Sequence, residues 1–159
     1  MVVLLMGVSG AGKTTAGKLL ASELGWEFAD ADDYHSAANV EKMRNGIPLT
    51  DADRGPWLES LRAVIVGWIA AGKNGVLACS ALKKAYRDML IVGREVRVVY
   101  LKASREVLLG RLLERQGHYM KEGMLESQIA TLEEPDDAIV VDACRAPEEI
   151  VGEIRLRLE

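Results

Sequence analysis

The sequence has few cysteines, no long apolar run and no excess of basic residues, and each absence excludes a class of protein. Only two of its 159 residues are cysteines, Cys79 and Cys144. Both lie in or beside apolar stretches, so we expect buried thiols rather than a disulfide or a metal pair. No apolar run approaches the roughly 18–20 residues that span a bilayer. The first six residues lack the charged start of a signal peptide, and we therefore expect a cytoplasmic, reduced protein.

Charge and composition argue against nucleic acids and membranes as partners. The 24 acidic and 20 basic residues give a net charge of −4, so there is no basic excess that would favour a polyanion. A hydrophobic share of 49% and a charged share of 28% are ordinary for a globular protein. Because there are no repeats or linkers, we expect residues 1–159 to form a single domain with a sizeable core.

The clearest feature that is present is a glycine-rich loop between an apolar stretch and an amphipathic helix. Residues 1–6 read MVVLLM, as in a buried parallel strand, and residues 7–14 read GVSGAGKT, which fits G-x-x-x-x-G-K-[ST]. Backbone N–H groups of such a loop bind phosphate together with the following helix N-terminus. Lys13 can reach the outer phosphates, and the Thr14 hydroxyl can bind Mg²⁺. The predicted nucleotide-binding residues are Gly7, Ser9, Gly10, Ala11, Gly12, Lys13, Thr14 and Thr15.

Alternating strand and helix patterns predict an α/β fold. The predicted strands are residues 1–6, 26–29, 76–79, 96–101 and 138–141. A helical pattern follows each strand, which indicates a five-stranded parallel sheet with helices on both faces, the three-layer αβα arrangement of P-loop proteins. Two polar stretches, about 35–56 and 115–123, are predicted to close over a bound ligand. After the first of them we expect the next helix to begin at Pro56.

Acidic residues follow the second predicted strand, at the sheet edge where α/β proteins bind ligands. Asp30 or Asp32 could orient an attacking hydroxyl and water molecules on Mg²⁺, whereas we expect Asp33 to face solvent. The two histidines, His35 and His118, stand without neighbouring ligands, which disfavours a metal site. Hydrogen bonds to a polyhydroxy substrate fit them better, and for His118 a surface position is the alternative.

Basic residues gather in the predicted loops, where phosphoryl transfer needs cations. They are Arg54, Lys83, Lys84, Arg87, Arg111 and Arg115. Arg111 and Arg115 are one helical turn apart and therefore face the same way, while Lys84 is expected to be a surface charge. The third strand ends without an aspartate, and no N-K-x-D motif occurs. The absence of an N-K-x-D motif argues against a GTPase switch.

Taken together, these stretches resemble the small P-loop gluconate kinases, which are related to shikimate and adenylate kinases. The matching segments are MGVSGAGKTT, DADDYH, NVEKM, GIPLTDADR with PWL, CSALKKAYRDML, RLLERQGHYM and LEEP. They cover nearly the whole chain, and CSALKKAYRD and GIPLTDADRGPWL are the most specific. The resemblance implies an adenylate kinase-like fold and transfer of a phosphoryl group from ATP, with Mg²⁺, to the 6-hydroxyl of D-gluconate. Relatives commonly form homodimers, which leaves a homodimer as one option.

The resemblance also implies roles for individual residues. Asp32 is similar to the carboxylate that positions or deprotonates the acceptor hydroxyl, and Lys13 and Arg115 would neutralise charge on the transferring phosphoryl group. Arg111 resembles the arginine that packs on adenine. One departure is Ala31, at a position where relatives often carry glycine. The candidates for holding gluconate are His35, Arg54, Lys83 and Gln128, with Arg54 or Lys83 on its carboxylate.

Two other functions remain open at this point. The first is another small-molecule P-loop kinase, such as a shikimate or nucleoside monophosphate kinase, against which the CSALKKAYRD segment argues. The second is a nucleotide-binding module without catalysis. Lys13, Thr14, Asp32 and Arg115 argue against that module, since a pure binder needs no acceptor-side carboxylate and lid arginine together.

Overall fold

The structure, a computed structural model, describes residues 1–114 and 122–159. Within these residues the chain alternates between strands and helices, as the sequence predicts. The elements are β1 (Val2–Met6), α1 (Lys13–Leu24), β2 (Glu27–Asp30), a 3₁₀ helix (Ala31–Tyr34), α2 (Ala37–Arg44), α3 (Asp51–Ala70), β3 (Gly75–Ala78), α4 (Lys84–Leu90), β4 (Val96–Lys102), α5 (Arg105–Glu114), α6 (Glu122–Thr131), β5 (Ile139–Asp142) and α7 (Pro147–Leu158).

The five strands form one parallel sheet in the order β2-β3-β1-β4-β5. β1 lies at the centre, and each of its five residues is buried, which explains why its sequence is a continuous apolar run. Because all strands are parallel, their carboxyl ends meet at one edge of the sheet. The phosphate loop after β1 and Asp30 at the end of β2 therefore share that edge, as predicted.

Side chains of β1 alternate between two hydrophobic clusters, one on each face of the sheet. Val3 and Leu5 belong to a cluster that includes residues of α1, α5 and α7. Leu4 and Met6 belong to a second cluster, which includes residues of α3 and α4 such as Leu61. Two helical layers thus cover the central sheet, and the predicted αβα architecture is confirmed.

α3 begins at Asp51, and the prediction that this helix begins at Pro56 is wrong. The Thr50 side chain accepts a hydrogen bond from the Asp53 backbone N–H at 3.1 Å, and the Asp53 carboxylate accepts one from the Thr50 N–H at 2.9 Å. This reciprocal capping box starts the helix before the proline. Pro56 then lies inside the helix, where it removes one hydrogen bond, that of its missing N–H.

Two further expectations need correction or fall outside the described residues. Residues 122–123, predicted as loop, belong to α6, and the rest of the predicted lid, residues 115–121, lies outside the described residues. Cys79 is buried as expected, whereas Cys144 is exposed. The reason is that β5 ends at Asp142 and Cys144 lies in the turn that follows. Among the described residues, no helix is long and apolar enough to cross a membrane.

Candidate functional site

The loop between β1 and α1 has the backbone that its glycines were predicted to provide. Gly10 and Gly12 have φ values of 91° and 90°, a region that side-chain-bearing residues rarely adopt. Gly7 serves packing, because a Cβ atom there would lie 2.9 Å from the carbonyl oxygen of Leu101 in β4. α1 begins at Lys13, whose Nζ donates a hydrogen bond to the Val8 carbonyl at 3.1 Å. The helix start places its N–H groups and Lys13 beside the loop, which suits an anion.

A cavity of about 730 Å³, including its part open to solvent, lies over this loop at the carboxyl edge of the sheet. Loop residues form one wall, the end of β2 and the 3₁₀ helix form another, and α3 and α6 each contribute. The predicted site residues that line it are Ser9, Gly10, Gly12, Lys13, Thr14, Asp32, His35, Arg54 and Gln128. A donor phosphate on the loop and an acceptor beside Asp32 would therefore share one space.

Asp30 and Asp32 differ in their surroundings. The Thr14 hydroxyl donates to Asp30 Oδ2 at 2.7 Å, and Asp30 Oδ1 accepts from the Asp32 backbone N–H at 3.0 Å. Asp30 thus binds Thr14 and caps the 3₁₀ helix, while Asp32 lies exposed on the cavity wall. Asp33 is also exposed, as predicted. Ala31 is buried, and its φ is not positive, so its backbone does not require a glycine and its methyl group is accommodated.

His35 is held by neighbours that the sequence did not single out. Its ring stacks on Trp57 with a centroid distance of 4.3 Å and an interplanar angle of 11°, and the Trp57 indole N–H donates to the Ala31 carbonyl at 2.7 Å. Asn39 Nδ2 lies 3.3 Å from His35 Nδ1. Burial, with a further contribution from Arg54, lowers the pKa of His35 from 6.5 to about 4. His35 is therefore neutral near pH 7.

Arg54 and Lys83 share one tyrosine and one carboxylate. Arg54 Nη1 donates to the Tyr86 hydroxyl at 3.2 Å, that hydroxyl donates to Asp51, and Lys83 Nζ donates to Asp51 at 3.0 Å. Hydrogen bonds from Tyr86 and then Lys83 lower the pKa of Asp51. Arg54 lines the cavity, whereas Lys83 is not among its lining residues. Of the two cations predicted to bind a carboxylate, Arg54 is the better placed.

Two of the basic residues predicted to lie in loops, Arg87 and Lys84, line neither of the cavities beside the phosphate loop. Arg87 is buried, and its guanidinium donates to the carbonyl oxygens of Ala81, Leu82 and Glu133 at 2.8–3.1 Å. These bonds fix the turn after β3, so the expectation of a loop cation at Arg87 is wrong. Lys84 is exposed and forms an ion pair with Asp88, which confirms it as a surface charge.

Gln128 connects α6 to the phosphate loop. Its side-chain Oε1 accepts a hydrogen bond from the Ser9 backbone N–H at 2.7 Å, and only 8% of its surface is exposed. The resemblance made Gln128 a candidate for holding gluconate, and in the structure Gln128 lies in the cavity wall and binds the phosphate loop. A helix 119 residues away along the chain thereby sets the position of one loop N–H.

A second cavity, of about 770 Å³ including its part open to solvent, lies on the other side of the loop. Ala11, Thr15 and Arg111, three of the predicted nucleotide-binding residues, line it. Arg111 Nη1 donates to the carbonyls of Gly10 and Ala11 at 3.2 and 3.3 Å. Arg145 and Pro147 also line this cavity. Neither was predicted, because residues near the start of α7 carry no phosphate-binding pattern.

Several known proteins that this chain resembles are kinases. The chain matches the shikimate kinase family model over residues 9–159. It is 49% identical over 152 residues to a probable gluconokinase of Mus musculus, covering 84% of this chain and 83% of the relative. The gluconokinase of Gluconobacter oxydans (strain 621H) is 44% identical over 157 residues, with coverages of 96% and 88%. The chain belongs to the shikimate kinase family, among the gluconokinases.

Solved structures agree with this family assignment. A sugar kinase from Janibacter sp. HTCC2649 superposes with a TM-score of 0.91 at 45% identity, covering 99% of this chain and 93% of that chain. A gluconokinase from Sinorhizobium meliloti 1021 gives 0.86 at 38% identity, with coverages of 98% and 92%. The shikimate kinase of Aquifex aeolicus, at 22% identity and a TM-score of 0.63, shares the fold. Membership of this kinase family implies that the protein uses ATP.

The predicted site of this gluconokinase-family chain thus spans two cavities. Nine predicted residues line the cavity over the loop and five line the cavity behind it, with Gly10 and Gly12 in both. Gly7 packs on β4, and Lys83 lies in the ion pair with Asp51. Arg115 and His118 lie outside the described residues, so their predicted roles stay predictions. Within the described residues no group of three or more His, Cys, Asp or Glu side chains could hold a metal ion.

Proposed function

We propose that the protein transfers the γ-phosphoryl group of ATP to the 6-hydroxyl of D-gluconate, giving ADP and 6-phospho-D-gluconate. The observation that carries this proposal is the single cavity that contains the phosphate loop, Asp32 and Arg54. Identities of 44–49% to gluconokinases over most of the chain support the choice of substrate. We infer a cytoplasmic enzyme without nucleic-acid or membrane partners, and homodimer formation stays a prediction.

On the donor side, the loop N–H groups, the start of α1 and Lys13 stabilise negative charge on the phosphoryl oxygens as it develops. The bond from phosphorus to the bridging oxygen of ADP breaks as the bond to the acceptor oxygen forms. Arg115 is proposed to add a second cation from the lid.

Mg²⁺ fits the oxygen donors next to the loop. The Thr14 hydroxyl oxygen and Asp30 Oδ2 lie 2.7 Å apart, and Mg²⁺ prefers such oxygen ligands, with water and phosphate oxygens completing its shell. When bound, the ion would neutralise charge on the nucleotide phosphates. In the protein alone, Asp30 holds the Thr14 hydroxyl in position.

On the acceptor side, the Asp32 carboxylate receives the proton of the 6-hydroxyl as the new oxygen–phosphorus bond forms. His35 and Arg54 lie in the same cavity wall. Neutral His35 offers hydrogen bonds to hydroxyl groups, and the Arg54 guanidinium, which Tyr86 orients, suits the carboxylate of gluconate. Lys83, which pairs with Asp51 and does not line the cavity, is the second candidate cation for that carboxylate.

The adenine of ATP is proposed to occupy the second cavity. Arg111 faces it while holding two loop carbonyls, so its guanidinium plane is fixed and can stack on a base. Arg145 and Pro147 also line this cavity. The loop would then lie between base and acceptor, with the phosphates running across it.

Asp32→Asn tests the catalytic assignment. We expect turnover to fall by about 10²–10⁴-fold, the usual range for loss of a general base, because the amide cannot accept the hydroxyl proton. ATP binding, measured by calorimetry, should be nearly unchanged. Asp33→Asn is the matched control, since Asp33 is the exposed neighbour. Equal losses of turnover and ATP binding would make Asp32 a metal or folding residue instead.

The substrate is tested by ADP release in a coupled assay across sugar acids, shikimate and nucleoside monophosphates. We expect gluconate to give the highest kcat/KM. Turnover on shikimate or a nucleotide without stimulation by gluconate would support the alternative small-molecule kinase. Nucleotide binding with no turnover on any acceptor would support a non-catalytic module.

A further inference from the structure

The side chain of Asn39 is buried between α3 and His35, and its orientation can be assigned from its partners. Asn39 is only 6% exposed. Its Nδ2 lies 2.9 Å from the backbone carbonyl oxygen of Asp53. A carbonyl oxygen can only accept a hydrogen bond, so the atom facing it must be the amide nitrogen rather than the amide oxygen.

The same nitrogen faces the histidine ring. Asn39 Nδ2 carries two hydrogens, one for the Asp53 carbonyl and one directed at His35 Nδ1, 3.3 Å away. Because Nδ2 has no lone pair to give, Nδ1 must be the acceptor and cannot carry a proton. In a neutral imidazole the proton then lies on Nε2.

A half-turn of the ring about its Cβ–Cγ bond would keep the stacking on Trp57, but it would put Cδ2 where Nδ1 now faces Asn39, and the hydrogen bond to Asn39 would be lost. Trp57 covers one face of the imidazole at a centroid distance of 4.3 Å, and the indole is itself fixed by its bond to the Ala31 carbonyl. His35 lines the cavity and Asn39 does not. The edge of the ring away from Asn39, which carries Nε2, is therefore the edge available to a bound molecule.

We propose that Asn39 is a positioning residue that holds His35 in the Nε2–H tautomer, so that His35 offers one fixed N–H donor to a substrate oxygen. Substrate recognition here rests on the proposed gluconate kinase activity, whereas the tautomer does not. This fixed N–H donor makes the site selective for substrate groups that accept a hydrogen bond. A hydroxyl or carboxylate oxygen can accept from this N–H, but a substrate group that only donates finds no acceptor at this point of the wall.

The tautomer can be read directly by two-bond ¹H–¹⁵N correlation spectra of the imidazole rings at pH 7. The chain has only two histidines, so His118→Gln assigns the signals. We expect His35 Nδ1 to show the shift of an unprotonated nitrogen and Nε2 that of a protonated one. A protonated Nδ1, or an average of both tautomers, in the wild-type protein would overturn the proposal without any variant.

Asn39→Ala tests whether Asn39 is responsible. We expect the folded variant to show averaged His35 shifts, because the donor that selects the tautomer is gone. Asn45→Ala is the control, since Asn45 lies at the end of the same helix and contacts Glu41. An unchanged Nε2–H tautomer in folded Asn39→Ala would overturn the role of Asn39. If that variant does not fold, the wild-type spectrum decides.

Two substitutions of His35 test the contribution of the N–H donor separately from that of the imidazole ring. Gln places an amide N–H near the position of Nε2, and Asn places one near Nδ1. We expect kcat/KM for gluconate to be about three- to tenfold higher for His35→Gln than for His35→Asn, the worth of one hydrogen bond. Equal values would overturn the donor role. If the wild-type enzyme shows the Nε2–H tautomer but ignores gluconate, the proposed function fails and the tautomer stands.

Discussion

At the scale of single residues, His35 makes the folded state sensitive to acid. Its pKa is lowered to about 4 from 6.5, first by burial and then by Arg54. Between these values the unfolded chain binds a proton that the folded protein does not, so the free energy of unfolding decreases as the pH falls. Above about pH 6.5 neither state binds this proton, and the contribution to stability is fully present.

His35→Gln should remove this dependence. We expect the Tm of the wild-type protein to fall more steeply than that of His35→Gln between about pH 7 and pH 4.5, because only the wild type gains a proton on unfolding. Above about pH 7 the two curves should run parallel. Circular dichroism melting in matched buffers measures both. Curves that stay parallel throughout would contradict a lowered pKa for His35.

Residues with local patterns were predictable from sequence, and residues that act through distant partners were not. The backbone of the phosphate loop follows from its glycine spacing, and the position of Asp32 in the cavity wall follows from its place after a strand. Tyr86 was missed because its partners Arg54 and Asp51 lie 32 and 35 residues away. Arg87 was misjudged for the same reason, since a basic residue in sequence does not reveal that its guanidinium binds backbone carbonyls.

At the scale of elements, the start of α3 supports the cavity wall. The capping box of Thr50 and Asp53 precedes Arg54 by one residue, and Lys42 of α2 donates to the Asp53 carboxylate at 2.9 Å. This turn therefore connects α2 to α3 and fixes the backbone position from which the Arg54 side chain extends into the cavity. A change at the helix start should affect both stability and the acceptor site.

Thr50→Ala should lower the free energy of unfolding by about 1 kcal/mol, the usual loss for a helix N-cap, and raise the KM for gluconate because the turn with Arg54 loosens. Denaturant unfolding and the coupled assay measure the two effects. Ser60→Ala is the control, since Ser60 forms a hydroxyl hydrogen bond within the same helix. A loss of stability equal to that of the control would contradict the capping role.

The pH dependence of stability provides a second test of the helix start, because Asp53 is the carboxylate of the capping box. Its pKa is lowered from 3.8 to about 2, first by the Thr50 backbone N–H and then by Lys42. A lowered carboxylate pKa stabilises the fold above the unfolded value of 3.8 and loses that effect as the pH falls toward 2. The Tm difference between wild type and Asp53→Asn should therefore be largest near neutral pH and narrow below about pH 4.

Every strand and nearly every helix was predictable, because each buried apolar run is local in sequence. The start of α3 was not, because proline normally marks the first turn of a helix. Here the Thr50–Asp53 box lies closer to the amino terminus and determines the start instead. The polar residues 35–56, with their glycines and prolines, indicate short helical pieces and turns, and α2 and the first turn of α3 are the helical pieces.

At the scale of the whole molecule, the phosphate loop connects distant parts of the fold. Gly7 packs on β4, Arg111 of α5 binds the Gly10 carbonyl, and Gln128 of α6 binds the Ser9 N–H. A ligand on the loop should therefore stabilise the folded chain as a unit. Since an unfolded loop has no such site, binding adds directly to the free energy of unfolding.

Saturating ATP should raise the Tm of the wild-type protein. At about 100 times its Kd a ligand adds about 2.7 kcal/mol, which corresponds to roughly 5–10 °C for a domain of this size. Lys13→Ala should lose most of this shift at the same ATP concentration. Lys18→Ala is the control, because Lys18 is exposed on the same helix. An undiminished shift in Lys13→Ala, measured by scanning calorimetry, would contradict a role for Lys13 in phosphate binding.

The central position of β1 also has a consequence for synthesis on the ribosome. Val2 pairs with Gly75 on one side and with Val96 on the other. At about 5–20 residues per second, the ribosome needs roughly 5–20 s after making β1 to reach its second neighbour. During that interval the fully apolar strand β1 lacks at least one of the two strands with which it pairs. The segment on which the finished molecule is centred is therefore the one most in need of a chaperone while the chain is being made.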